Sequence, residues 1–439
     1  MPMNKYVIQL PKDQTPRQWH NILPQLPEPV GPYKNTTGQV PPLEALIGSV
    51  FPPWLIEQER SDQIWHPIPF PVLEAYALWR PTPLIRARRL ELALNVRSRI
   101  YYKNESVSPS GCHKSNTAVA QAYYNHLAGI KRLTTENGAG QWGTALAIAA
   151  RHFYLDIRVF MVKASLAQNP ARQTIMNLLG ADVLASPSLL TIAGRADLAK
   201  DPHSPGSLGL AISEAIGEAM SRSDTNYALG SVLNHVILHQ TVIGQEVKKQ
   251  LQIAGEKPDY LIACHGGGSN LGGLVVPFTP DVLNGQQIQF LAAEPATCPT
   301  LTKGKFGYDF GDMAKLTAMM PMYSLGADFA PPAIHADGLR YHGASPIISS
   351  LVKSKIVTPV AVEAEDAFHY AILMAQNEYV VPAPESSYAL ALTCQKALEL
   401  EKARTPGVLV FVLSGHGLLD LSAYENNSGL EKNSPAKKD

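Results

Sequence analysis

One lysine in this chain sits where an amine nucleophile would be made. After the run RIYYKNES comes the loop VSPSGCHKSN, and then an apolar-periodic helix. Lys114 therefore stands at a helix N-terminus, where the positive end of the dipole disfavours an ammonium. A lysine held as a free amine is what Schiff-base chemistry requires. Gly111, His113 and Asn116 surround it with turn-forming and hydrogen-bonding groups. A second loop, NGAGQWG, follows RLTTE; Gly138, Ala139 and Gly140 leave backbone N–H groups uncovered at a helix start, which suits a carboxylate-sized anion. Glu136 stands at its edge, and a carboxyl beside a bound anion is placed for proton transfer. A third loop, HGGGSN after YLIAC, reads as a phosphate cradle with Ser269 and Asn270 as extra donors. It lacks the G-K-[ST] of a nucleotide loop and the third glycine of a dinucleotide fingerprint, which favours a ligand with a single phosphate. Ser414 ends GVLVFVLSG; a neutral hydroxyl there can meet a pyridine nitrogen without forcing it to be protonated.

The elements that must hold these loops alternate. RIYYKNES, RLTTE, IRVFMV, ADVLAS, YLIAC, IQFLAAE and GVLVFVLSG read as strands, and NTAVAQAYYNHLAGI, QWGTALAIAARHF and ARQTIMNLLG as helices. Such alternation over more than 300 of the 439 residues predicts an α/β protein of two lobes, each with a largely parallel sheet. Ligands of such sheets bind beyond the strands' carboxyl ends, where the four loops lie. Residues 1–80, rich in proline and aromatics, read as an ordered extension packed on the core, and 426–439 as a polar tail.

Composition excludes other classes. Lys plus Arg and Asp plus Glu each total 37, so no basic field draws the chain to nucleic acid or anionic lipid. Four scattered cysteines with no C-x-x-C pair, no apolar leader and no apolar span point to a cytoplasmic protein. His235 and His239 share a helical face but lack a third metal ligand, and read as core histidines. Ser414, His416 and Asp420 lack the G-x-S-x-G elbow of a hydrolase triad.

Taken together, RPTPLIRARRLE, VSPSGCHKSNTAVAQAYYN, LTTENGAGQWGTAL, DPHSPGSLGLAISEA, LGSVLNHVILHQTVIGQE, CHGGGSN, DFAPPAIHADGLRYHG, PAPESSYAL and LSGHGLLDL resemble the tryptophan synthase β-subunit family, in its divergent second branch, over roughly residues 15–422. The resemblance implies fold type II of the pyridoxal phosphate (PLP) enzymes, with 113–235 as one lobe (mobile over about 129–230) and 81–112 with 236–425 as the other. It implies that Lys114 forms the aldimine and that L-serine and indole give L-tryptophan and water through an aminoacrylate. A related PLP lyase is the alternative: a serine or threonine deaminase, or β-replacement with phosphoserine or another nucleophile. By the same resemblance His113, Asn116, Ser231, Gly266, Gly267, Gly268, Ser269, Asn270, Glu385 and Ser414 surround the cofactor. Asn137, Gly138, Ala139, Gly140, Gln141 and Arg172 bind substrate. Glu136 is the acid–base residue, Asp328 approaches the substrate hydroxyl and pairs with Arg172 on closure. Main-chain oxygens of Gly266, Phe329 and Pro331 hold a monovalent cation (K+ or Na+). A homodimer is implied, and docking of an α-subunit is left open. Asn137, Cys112, Ser115, His265 and Gln173 depart from the family's usual residues.

Overall fold

Val408–Leu413, VLVFVL, is buried at every position. An unbroken apolar strand with no polar face must lie inside a sheet covered on both sides. A computed structural model describing residues 6–329, 331–332 and 335–427 places it at the centre of a seven-stranded sheet. The order is Val7–Ile8, Leu84–Arg86, Arg99–Asn104, Val408–Leu413, Tyr260–Cys264, Gln289–Pro295, Val357–Val362. The last five run parallel; Leu84–Arg86 pairs antiparallel with Arg99–Asn104, and Val7–Ile8 antiparallel with Leu84–Arg86. A second, four-stranded parallel sheet has the order Asp182–Ser186, Asp156–Val162, Arg132–Asn137, Thr225–Tyr227. The architecture is thus α/β with one largely parallel and one parallel sheet, and all seven strands read from the sequence are present. The polar tail is outside the described residues from 428 onward.

Residues 6–80 pack along the helical core. Gln18–His20 pairs with Trp65–Pro67, and Trp19 is fully buried with its ring 4.5 Å from that of His239. Helix Pro53–Arg60 lies on helix Asn234–Gln240. Glu59 accepts from the backbone N–H of Asn234 and of His235 and from His235 Nδ1, at 2.8, 3.0 and 2.8 Å. His239 bonds Gln58 and Thr117. Both histidines are buried core residues, His239 bonded through both ring nitrogens and His235 through Nδ1 alone, and among the described residues no group of three or more His, Cys, Asp or Glu is placed to hold a metal. No described helix is long and apolar enough to cross a membrane.

Where the elements meet behind the Lys114 loop, four charges are buried together. Arg80 pairs with Glu105 and Glu246, each at 2.9 Å, and Lys103 pairs with Glu246 at 2.6 Å; all four side chains are 0% exposed. The two positive and two negative groups cancel, and the remaining valences are met by Thr82, Gln250 and Asn116. Buried ions require such full pairing, because removing one partner strands the other without water. Burial alone would push the Glu105 carboxyl up, but Arg80 and Lys103 outweigh it and hold it down at about 2. Its stabilising contribution is therefore complete above the ordinary carboxyl value of 4.5 and is lost as pH falls toward about 2. Arg80→Met should destabilise the protein by about 3–5 kcal/mol, read as a lower urea midpoint at unchanged slope.

Candidate active site

The carboxyl ends of both sheets point at one place, and the four loops converge there. Two adjoining cavities share Lys114, Gln141, Ser231, Gly267 and Gly338. The smaller is lined by the glycine loop, His113, Cys112, Cys264, Glu385 and Ser414. The larger is an apolar chamber with Glu136 beside Lys114 in its wall.

The glycine loop follows strand Tyr260–Cys264 and opens helix Ser269–Val275. Gly268 has φ +113°, a region that side-chain-bearing residues avoid. A Cβ on Gly267 would sit 2.4 Å from Ser231 Oγ and 2.7 Å from Val232 Cγ2. The backbone amides therefore face the cavity bare, with the Ser231 and Ser269 hydroxyls beside them. His113 Nε2 lies 3.1 Å from Ser269 Oγ, and burial drops its imidazole to about 3, so the ring is neutral. Asn270 keeps a buried Oδ1 with no partner.

Lys114 reaches from the start of helix Ser115–Leu127 into the space between the cavities, its Nζ 3.3 Å from the Gly230 carbonyl. Burial pulls its pKa below the usual lysine range, against the opposing pull of Cys112, Glu136 and Glu385. Glu136 is buried at the end of strand Arg132–Asn137, and burial pushes its carboxyl up to about 7. Tyr227 OH donates to its Oε2 at 2.5 Å. Glu385 is likewise pushed to about 7, by burial and then by Asp420; it accepts from Gly338 N–H at 2.9 Å and Gln141 Nε2 at 3.0 Å. Asn137, Gly138, Ala139 and Gln141 line the chamber, and Asn137 Oδ1 takes the Gly143 N–H at 3.2 Å. Of the other departures, Cys112 lines the smaller cavity and Ser115 bonds Ser110, whereas His265 is buried behind the loop with neither ring nitrogen paired.

Several expected residues lie elsewhere. Asp328 is in an exposed turn and borders neither cavity. Arg172 is buried but pairs with Asp420 at 2.9 Å instead, because the loop after strand Val408–Leu413 delivers that carboxylate to it. Gly140 packs against the Arg172 chain and lines neither cavity. Asn116, two residues along the helix from Lys114, faces the opposite way and bonds Arg80, Glu105 and Gln240. The cation oxygens do not form a set. Gly266 lines the smaller cavity, Phe329 and Pro331 line a separate cleft, and the Pro331 carbonyl already accepts from the Arg340 guanidinium at 2.8 Å.

Three residues at the site escaped sequence reasoning. Asp337 enters the chamber wall and bonds Ser165 Oγ and Arg340. Tyr227 holds Glu136, and Ser386 holds Ser414 at 2.7 Å. Asp337 and Asp328 both lie in DFAPPAIHADGLRYHG, and nothing in the local sequence tells the two acids apart. A strand tyrosine and a helix serine carry no signal.

A cradle of bare amides and hydroxyls, a lysine tuned toward free amine, and a neutral hydroxyl at the far end fit a phosphorylated heteroaromatic aldehyde. That combination defines a PLP-dependent enzyme. Residues 76–415 match the family model described as pyridoxal-phosphate dependent enzyme. The tryptophan synthase beta chain 2 of Thermotoga maritima is 53% identical over 420 residues, covering 96% of this chain and 100% of that one. Those of Aquifex aeolicus and Methanosarcina mazei are 51% and 47% identical, each covering 96% of this chain, and 98% and 96% of their own. A fungal L-serine ammonia-lyase from Rhizomucor miehei shares the fold, with a TM-score of 0.57 and 18% identity over 78% of this chain and 96% of that one. The chain belongs to the pyridoxal-phosphate dependent enzymes and, within them, to the tryptophan synthase beta chain family.

Closing the cradle should release the cofactor. Gly267→Ala is expected to weaken pyridoxal phosphate binding at least tenfold by fluorescence titration, a cost of about 1.4 kcal/mol. Gly307→Ala, where a Cβ meets nothing within 4 Å, should leave it unchanged.

Proposed function

We propose that this protein joins L-serine and indole into L-tryptophan with release of water. The observation that carries the reading is the placement of Lys114 and Glu136 in the wall of one apolar chamber, with Lys114 also lining the phosphate cradle. Relatives named tryptophan synthase beta chain, matched along nearly the whole chain, support it.

Bound pyridoxal phosphate supplies an electron sink for charge at the amino acid's Cα. Gly266, Gly267, Gly268, Ser269, Asn270, Ser231 and His113 would hold its phosphate, and Ser414 and Glu385, which line the same cavity, would flank its ring. Backbone N–H groups of Gly138, Ala139 and Gln141, which line the chamber, would take the substrate carboxylate. Lys114, as a free amine, removes the Cα proton. Glu136, protonated up to about pH 7, gives its proton to the departing hydroxyl of serine, which leaves as water. The same carboxylate then accepts the proton that indole loses.

The chamber suits indole by shape and polarity. Leu208, Ile212, Ile216 and Met220, four apart on helix Leu208–Met220, form one wall. Phe51 and Trp142 add flat surface, and the apolar lining keeps out the water that would divert the reaction to pyruvate. Tyr227 leaves Glu136 Oε2 occupied, so Oε1 is the oxygen free to carry the proton. The reading also carries a cytoplasmic homodimer; sedimentation equilibrium that finds only monomer overturns that part.

Serine with and without indole should give tryptophan and little pyruvate when indole is present; pyruvate undiminished by indole, with no tryptophan, refutes the reading. Borohydride should fix the cofactor to Lys114, and Lys114→Ala should abolish turnover. Glu136→Gln should lower tryptophan formation by ~10²–10⁴-fold. Activity that needs the acid form should fall as pH rises through about 7. Tyr227→Phe, which removes a donor to the ionised carboxylate, should move that fall to higher pH.

A further inference from the structure

Strand Arg132–Asn137 ends at Asn137, and helix Gln141–His152 begins at Gln141. Between them lies the loop whose amides would take the amino acid's carboxylate. The first N–H groups of a helix have no partner inside it, and a side chain at the cap position commonly meets one of them. Here the cap is Gly140, held at φ +110°, which has no side chain to offer. Asn137 serves instead, from the end of the strand: its Oδ1 accepts from the Gly143 N–H at 3.2 Å. The direction of this bond is fixed. A backbone N–H only donates, so the end of the amide it meets is the oxygen. The nitrogen end is left to donate to Met176 Sδ at 3.7 Å, which only accepts.

Met176 is fully buried and lines neither cavity. It belongs to helix Pro170–Leu178, and that helix backs the loop at two points. A Cβ on Gly143 would sit 2.6 Å from Met176 Sδ and 2.7 Å from Asn137 Nδ2, and one on Gly140 would sit 2.5 Å from Arg172 Cγ. Glycine at both positions lets the loop lie directly on the helix. The helix is pinned in turn, because Arg172 Nη2 pairs with Asp420 at 2.9 Å in the loop after strand Val408–Leu413. Gly138, Ala139 and Gln141 line the chamber. Asn137 borders the chamber too, but the oxygen and the nitrogen of its amide both meet protein atoms.

We propose that Asn137 is a positioning residue: it does not bind the amino acid but locks the carboxylate-binding amides against helix Pro170–Leu178, through Gly143 and Met176. The proposal rests on the reading above, in which this loop takes the substrate carboxylate, and it names what sets the loop's shape. Backbone amides hold an anion by converging on it, so spreading them costs affinity without removing any donor. The consequence is selective. Serine binding depends on the lock. Indole has no carboxylate, and pyridoxal phosphate would be held by the separate glycine loop, so neither depends on it.

The test is spectral titration of the holoenzyme with serine, with the indole KM and the cofactor affinity measured on the same samples. Asn137→Leu keeps the bulk and removes both polar ends; it should weaken serine binding about fivefold, as for a lost helix cap. Met176→Leu removes only the sulfur and should weaken it less. The double variant should bind serine no more weakly than Asn137→Leu, because both changes act on one contact. Indole KM and cofactor affinity should match wild type in all three. Circular dichroism reports folding; should Asn137→Leu fail to fold, Met176→Leu carries the test alone, with serine weakened and indole not. Folded variants with wild-type serine affinity overturn the proposal. So do losses that add in the double variant, the mark of an amide that touches serine itself, and losses shared by indole and cofactor. Each of these leaves the tryptophan-forming reading intact. A wild-type holoenzyme with no spectral response to serine would instead overturn that reading first.

Discussion

Water holds a lysine as an ammonium, and an ammonium is no nucleophile. The surroundings of Lys114 on balance work against that preference. Burial removes the solvent that stabilises the charge, and the helix that begins at Ser115 presents its positive end. The nearest carboxyl groups, Glu136 and Glu385, would restore the charge if they were ionised. Burial pushes each of them to about 7, so the site is held close to neutral by the same desolvation that frees the amine. Lysine and carboxyls are tuned by one cause, in opposite directions, toward one another.

Such a site needs a rigid frame, because desolvation depends on walls that stay closed. The frame is electrostatically the reverse of the site. Behind the Lys114 loop, Arg80, Lys103, Glu105 and Glu246 are fully buried but fully paired, and they tie together strand Arg99–Asn104, helix Val242–Ala254 and the helix that carries Lys114. Charges in close pairs hold the elements in register; isolated ionisable groups a few residues away are left to do chemistry. The N-terminal segment closes the other side, with Trp19 and Glu59 seated against helix Asn234–Gln240. Tyr33 and Phe51 extend the same segment into the wall of the chamber.

Among the described residues, the side chains that meet the Ser414 hydroxyl at the far end of the cavity are the uncharged Ser386 and Cys264. At Glu136 one oxygen is occupied by Tyr227 and the other is left to the chamber.

The local sequence determined the strands, the loops after them and the residues whose chemistry those loops carry. Apolar runs such as VLVFVL and YLIAC specify buried strands, and triple glycine specifies bare backbone, with no help from distant residues. For the same reason Lys114, Glu136, the glycine loop and Ser414 could be singled out before any fold was known. Asp328, Asn116, Arg172 and the three cation oxygens went astray because their fate depends on what faces them. Arg172 meets Asp420, Pro331 meets Arg340, and Asn116 turns its back to the lysine beside it. Tyr227, Asp337 and Ser386 were invisible for the complementary reason: a phenol, a loop acid and a helix hydroxyl acquire a role only when a partner from another element comes within about 3 Å. Residue type and spacing decide what a side chain is able to do; only tertiary packing decides its partner, and with it the direction of each proton.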